Sequence, residues 1–232
     1  MEFQKAIQPL LQNEIFLFSS KHGIKNHRLT NTEKANNQIT KAEDVKVHSN
    51  YNIWTGYHNI ADVDLDSDET RELADEFLNP TGVEFGRSKH GGRSHRLYKV
   101  LDLDKKKHTR NAYTFRDSET DNTIIELRAH GHYTMCGGEY DDPKDTVVFN
   151  KAEKVSEITW DQLHKQVAML GVASVMLRKA RTCGLLIIAK YYRWFLNIID
   201  DNGDYSKRTG KHSVEPVFAF HQSASLLRVF YL

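Results

Sequence analysis

The sequence predicts an α+β fold, with a mostly antiparallel sheet flanked by helices and a helical segment at the C-terminal end. Three observations carry this expectation. Short stretches of period-two alternation recur from Tyr51 to Arg128, two capped stretches of helical spacing interrupt and follow them, and the two kinds do not alternate as in a doubly wound sheet. With 232 residues, 39% of them hydrophobic, the chain is long enough to bury one sizeable core. We expect one domain over residues 1–179 and a divergent segment over 180–232.

Apolar residues at Phe3, Ile7, Leu10, Leu11, Ile15 and Leu17 mix helical and strand spacing and define no single element. Residues 19–49 are polar and read as loops around one short helix. Tyr51 to Trp54 reads as a strand, and the turn from Thr55 to Asn59 leads into Ile60 to Asp66, so these two strands are expected to form a hairpin. Asp66 followed by Glu69 has the spacing of a capping box, and Leu73, Ala74, Phe77 and Leu78 supply the apolar face of a helix from Ser67 to Leu78. Pro80-Thr81-Gly82 ends it. Val83 to Arg87, Arg93 to Leu101, Ala112 to Arg116 and Thr123 to Arg128 read as further strands. Between them lie the loop Ser88 to Gly92, the basic turn Lys105 to Arg110 and the turn Asp117 to Asn122. Thr159 with Gln162 caps a second helix, whose positions Leu163, Val167, Leu170, Ser174 and Leu177 line one face up to Lys179.

Charge is distributed unevenly although the net value is only +1. The charged residues from Asp62 to Glu76 are all acidic except Arg71, whereas those from Gly86 to Arg110 are mostly Arg and Lys. Such neighbouring blocks suit a site with cations on one wall and phosphates on the other, or two solvated faces that neutralise each other. The two cysteines, Cys136 and Cys183, make neither a disulfide framework nor a zinc cage, which points to a reducing cytoplasm. No signal-peptide pattern opens the sequence, and the apolar window from Leu185 to Ile199 is broken by Lys190 and Arg193, so no membrane partner is expected.

The stretch from Ile60 to Asp66 organises the rest. On a strand, Ala61, Val63 and Leu65 face a core while Asp62 and Asp64 face the other way, about 6.6 Å apart along the chain. Paired carboxylates of this kind can seat two divalent cations about 3.5 to 4 Å apart for phosphoryl or nucleotidyl transfer. The competing reading is the wet face of an antiparallel sheet. Two other strands favour the first: Arg93 and His95 are expected to share one face, and Glu126 and Arg128 another. Acids would hold cations, and fixed Arg and His would face the charge that develops on the phosphates.

At these residues the chain resembles the primase-polymerase domains of the archaeo-eukaryotic primase superfamily, in particular the bifunctional primase/polymerase modules of phages, plasmids and mobile elements. Asp62-Val63-Asp64 looks like the first motif of that family, Arg93-Ser94-His95 like the second, and Ile124-Ile125-Glu126-Leu127-Arg128 like the third. The likeness extends from about Asn52 to Glu157 and departs from the family pattern at Arg93 and at Cys136 to Tyr140. It implies a primase-like catalytic core and a nucleotidyltransferase that makes or extends DNA, or RNA, primers on a single-stranded DNA template. It further implies two Mg or Mn ions held by Asp62, Asp64 and Glu126, with Arg87, Lys89, Arg93, His95 and Arg128 binding the nucleoside triphosphate. A replicative helicase is the expected partner. The alternatives are a catalytically silent relative that binds single-stranded DNA or a helicase, and a different metal-dependent phosphotransferase or nuclease.

Other motifs carry less. His130, His132 and Cys136 have ligand-like spacing without a fourth ligand, and are read as structural or surface residues. Lys105-Lys106-Lys107 could grip template phosphates or form a solvated hairpin tip. Trp54, Trp160 and Trp194 are read as core anchors rather than base-stacking platforms.

Overall fold

A computed structural model of the chain describes residues 3–21, 29–46, 49–104, 112–138 and 145–183. The basic turn Lys105 to Arg110, Trp194 and all of the 180–232 segment beyond residue 183 lie outside the described residues. The model is α+β, with mostly antiparallel sheets and a long helix closing the described part.

The first residues, ambiguous by periodicity, divide into α1 (Phe3–Gln12) and β1 (Leu17–Lys21). The mixed spacing is thus two elements in succession, with Phe3, Ile7 and Leu10 on the buried face of the helix. The polar stretch that follows contains α2 (Asn31–Asn36), capped reciprocally by Thr30 and Glu33, and the two-residue β2 (Gln38–Ile39). With β3 (Ser49–Trp54) and β9 (Tyr133–Gly137) these strands form a four-stranded sheet ordered β2-β1-β3-β9.

The larger, seven-stranded sheet carries the site. It comprises β4 (Ile60–Leu65), β5 (Val83–Arg87), β6 (His95–Val100), β7 (Ala112–Arg116), β8 (Thr123–Arg128), β10 (Val147–Ala152) and β11 (Ser156–Ile158). Its order is β10-β5-β6-β4-β8-β7, and β11 pairs in parallel with the far half of β6.

The expected hairpin between β3 and β4 does not form. Both edges of β4 are taken, by β6 and by β8, so no backbone donors remain for β3. The link between them turns at Gly56, with φ +79°, where an added Cβ would stand 2.5 Å from the carbonyl oxygen of Ala129.

Helices α3 (Asp68–Phe77) and α4 (Trp160–Cys183) cover one face of this sheet. Ala61, Val63, Leu65, Ile125 and Leu127 meet Leu73, Phe77, Leu163, Val167 and Leu170 in one core, each large side chain contributing about 1.5–3 kcal/mol by leaving water. The cap of α3 is Ser67, not Asp66: its Oγ accepts from the Thr70 backbone N–H at 3.2 Å. Asp66 is thereby left free of the helix. Thr159 and Gln162 cap α4 as the spacing predicts, and the helix runs four residues past Lys179.

A second core lies on the opposite face, where Phe85, Leu97 and Phe149 of the large sheet pack with Ile7, Leu10, Ile53 and Cys136. Asp62 and Asp64 face this side, between the sheets.

Candidate metal and anion site

Three segments far apart in sequence become neighbouring strands. β4 is the middle one: Asp64 stands directly opposite His95 on β6 and Glu126 on β8, and Asp62 stands opposite Leu97 and Arg128. Cross-strand partners have Cβ atoms about 4.5–5.5 Å apart, so this register alone brings acids, His and Arg together.

Their environments differ. Asp62 is fully buried: its Oδ2 accepts from the Thr134 hydroxyl at 2.5 Å, faces His95 Nδ1 at 3.2 Å and lies 3.7 Å from Arg128 Nη1. Burial would push its carboxyl up, but the charges of His95 and Arg128 and the hydroxyl of Thr134 hold it below the usual aspartate range. Asp64, also buried, is pushed up by burial and by Asp62 and Glu126, although His95 and Arg128 oppose this. Burial would lower His95, yet Asp64 and Asp62 hold it above its usual value, and its ring stacks on Phe85 with centroids 4.9 Å apart.

Arg128 threads the acids. Its Nη2 pairs with Asp64 and, at 2.8 Å, with Glu126 Oε2; Nε reaches the same Glu126 oxygen at 3.0 Å; Nη1 donates to Thr134 Oγ1 at 3.2 Å. Glu126 Oε1 also accepts from Thr114 Oγ1 at 3.1 Å.

Among the described residues, one group of carboxylates could hold a metal ion: Asp64, Asp66 and Glu126, with one ligand oxygen each within 4.8 Å of the others. It differs from the expected set by one residue. Asp62 lies behind, committed to His95, Thr134 and Arg128, and Asp66 takes its place at the solvent edge. The Asp66 backbone N–H donates to the Ile124 carbonyl at 3.0 Å, tying it to β8 just beyond the last pair of the ladder. Burial, Asp64 and Glu126 raise its carboxyl to about 7. The signal for Asp66 is in the sequence, since Asp62, Asp64 and Asp66 continue one period-two series, although the spacing to Glu69 also suits a helix cap. Thr134 and Phe85 had no local signal, because their roles depend on which strands become neighbours.

The expected anion-binding residues divide. His95 and Arg128 lie within the acidic cluster. Arg87 and Lys89 lie off it, both paired with Asp145, the Lys89 Nζ at 3.5 Å. The register Phe85 to His95 to Asp64 places Arg87 level with Asp66 but two strands away, about 10 Å across the sheet. Arg93 does not share the face of His95. The strand begins at His95, so alternation does not extend back to Arg93, which turns to the helix side and binds Glu84 Oε1 at 3.1 Å and Asp75 Oδ2 at 2.5 Å. Ser94, just before His95, packs against Gly86: β5 and β6 approach so closely that a Cβ on Gly86 would fall on Ser94 Oγ.

His130, His132 and Cys136 form no group with shared ligand positions among the described residues, and Cys136 is buried in the core between the sheets. Trp160 is buried, as expected of an anchor. Trp54 is half-buried, with the Lys34 ammonium 4.7 Å above its ring. No described helix is long and apolar enough to cross a membrane.

No protein-family model matches the chain, and no curated protein matches it.

Proposed function

We propose that the chain is a metal-dependent nucleotidyltransferase that makes or extends primers on a single-stranded nucleic acid template. The observation that carries the reading is the register of β6, β4 and β8, which sets His95, Asp64 and Glu126 side by side from three separate motifs. The order of acids, His and acid is that of the primase-polymerase resemblance.

Asp64, Asp66 and Glu126 offer three carboxylate oxygens, a hard donor set suited to Mg or Mn. A divalent cation bound there supplies charge neutralisation for the transferring phosphoryl group and activation of the attacking hydroxyl. Asp64 and Asp62 favour the charged form of His95, Asp62 orients the ring through Nδ1, and Phe85 fixes the ring plane. His95 then presents positive charge beside the acids, a role in phosphate binding rather than as a general base. Arg87 and Lys89, both held by Asp145, would exchange that carboxylate for the outer phosphates of a triphosphate.

The test is extension of a labelled primer on a single-stranded DNA template with deoxynucleotides and Mn. Wild type is expected to lengthen the primer and Asp64→Ala to leave it unchanged while remaining folded, because removing a carboxylate from a crowded acidic group relieves repulsion. Full extension by Asp64→Ala defeats the assignment, and a shortened primer indicates a nuclease. The pairing of Arg128 with Asp64 and Glu126 favours one second reading, a silent relative that binds single-stranded DNA with its acids permanently neutralised. Such a protein would bind template without any dependence on divalent cations.

A further inference from the structure

We infer that Arg128 is a displaceable counter-ion of the acidic site, pairing with two of the carboxylates that a divalent cation would use and withdrawing toward Asp62 and Thr134 when the cation enters. This inference rests on the metal reading of Asp64, Asp66 and Glu126 given above.

The competition follows from contact geometry. One guanidinium nitrogen of Arg128 pairs with Asp64 and lies 2.8 Å from Glu126 Oε2, two of the three residues able to hold an ion. Magnesium takes oxygens at about 2.0–2.1 Å, so an ion bound through the same oxygens would overlap the guanidinium or stand against its positive charge. The two occupants compete for the same carboxylates.

A retreat is already built. Nη1 is anchored on Thr134 Oγ1 at 3.2 Å and lies 3.7 Å from Asp62 Oδ2. The other oxygen of that carboxylate, Asp62 Oδ1, is buried and accepts no hydrogen bond among the described residues. An unpaired oxygen on a buried carboxylate is costly. Rotation of the guanidinium about its Thr134 anchor would satisfy Asp62 Oδ1 while freeing Asp64 and Glu126. Arg128 would then keep one buried partner and leave its remaining donors for an anionic phosphate at the solvent edge beside Asp66. Arg128 is on this account a positioning residue that couples cation entry to anion binding.

The test uses the full chain and the metal alone. Mn binding is measured by electron paramagnetic resonance for wild type, Arg128→Gln, Arg128→Lys and Asp66→Asn. Removing one unit charge a few ångströms from the ion is expected to tighten Mn binding by about tenfold in Arg128→Gln, with little change in Arg128→Lys. In wild type, the Arg128 side-chain Nε–H resonance is expected to shift on titration with Mg and to saturate together with cation binding, a readout that does not depend on a variant folding. Folded Arg128→Gln with wild-type or weaker affinity, or an Nε–H signal indifferent to Mg, overturns the inference. If wild type binds no Mn, or if Asp66→Asn binds as well as wild type, the metal site itself fails, which distinguishes that failure from loss of the Arg128 role alone.

Discussion

Asp62 and Asp66 lie on one period-two series yet should respond oppositely to the same neutralising change. Asp62→Asn keeps the shape of a fully buried side chain but removes the charge that balances His95 and Arg128. Removing one partner from a buried charged set costs about 3–5 kcal/mol, because the remaining charges stay buried and unbalanced. The surviving bond from Thr134 should keep the effect near the lower bound, about 3 kcal/mol. For a domain of this size that corresponds to a fall in Tm of about 6–12 °C. Asp66→Asn removes a carboxylate that already repels Asp64 and Glu126, so stability should be unchanged or slightly higher, while the Asp64, Asp66 and Glu126 group loses a ligand. Urea unfolding and Mn titration of both variants make the comparison. If Asp62→Asn unfolds within 0.5 kcal/mol of wild type, a margin expected of a surface change, or if it loses Mn binding while Asp66→Asn retains it, the division between a buried orienting acid and an outer ligand acid is wrong.

Other outcomes follow from the same structure. Gly86→Ala should weaken the β5 and β6 pairing, since the new methyl collides with Ser94, at a cost of about 1–3 kcal/mol; the double variant with Ser94→Gly should recover part of that loss in thermal unfolding. Burial would raise the Asp117 carboxyl, but the backbone N–H groups of Glu119 and Thr120 and the Arg178 guanidinium hold it below the usual aspartate range. Its folded pKa is depressed, so its contribution is complete above the ordinary value of about 3.9 and disappears as pH falls through the folded value. Unfolding measured from pH 6 down to pH 2 should therefore show a shallower acid limb in Asp117→Asn than in wild type. Leu170→Ala, at a fully buried position of α4 against the sheet, should cost about 2–5 kcal/mol by leaving a cavity, with Mn affinity preserved because the site lies on the opposite face.

Much of this protein is written locally. Period-two spacing is enough to put Asp62, Asp64 and Glu126 on strands and to separate them from Val63, Leu65 and Leu127, because side-chain direction alternates with every residue whatever the partner strand. The Thr159 and Gln162 cap and the apolar stripe of α4 are legible for the same reason: cap bonds and helix faces are set within a few residues. What the tertiary structure decided is adjacency. Strand order placed β4 between β6 and β8, and the register then set Asp64 opposite both His95 and Glu126; pairing energies between distant segments determine this, and no local window contains them. The same adjacency buried Asp62 behind Thr134, made Asp66 rather than Asp62 the third member of the carboxylate group that could hold an ion, and turned Arg93 to the helix side where the strand ends. Residue chemistry was local, whereas the separation of a fully buried Asp62 from Asp64, Asp66 and Glu126, which could hold an ion, came from depth in the fold, because burial and neighbouring charge determine what a carboxylate can do.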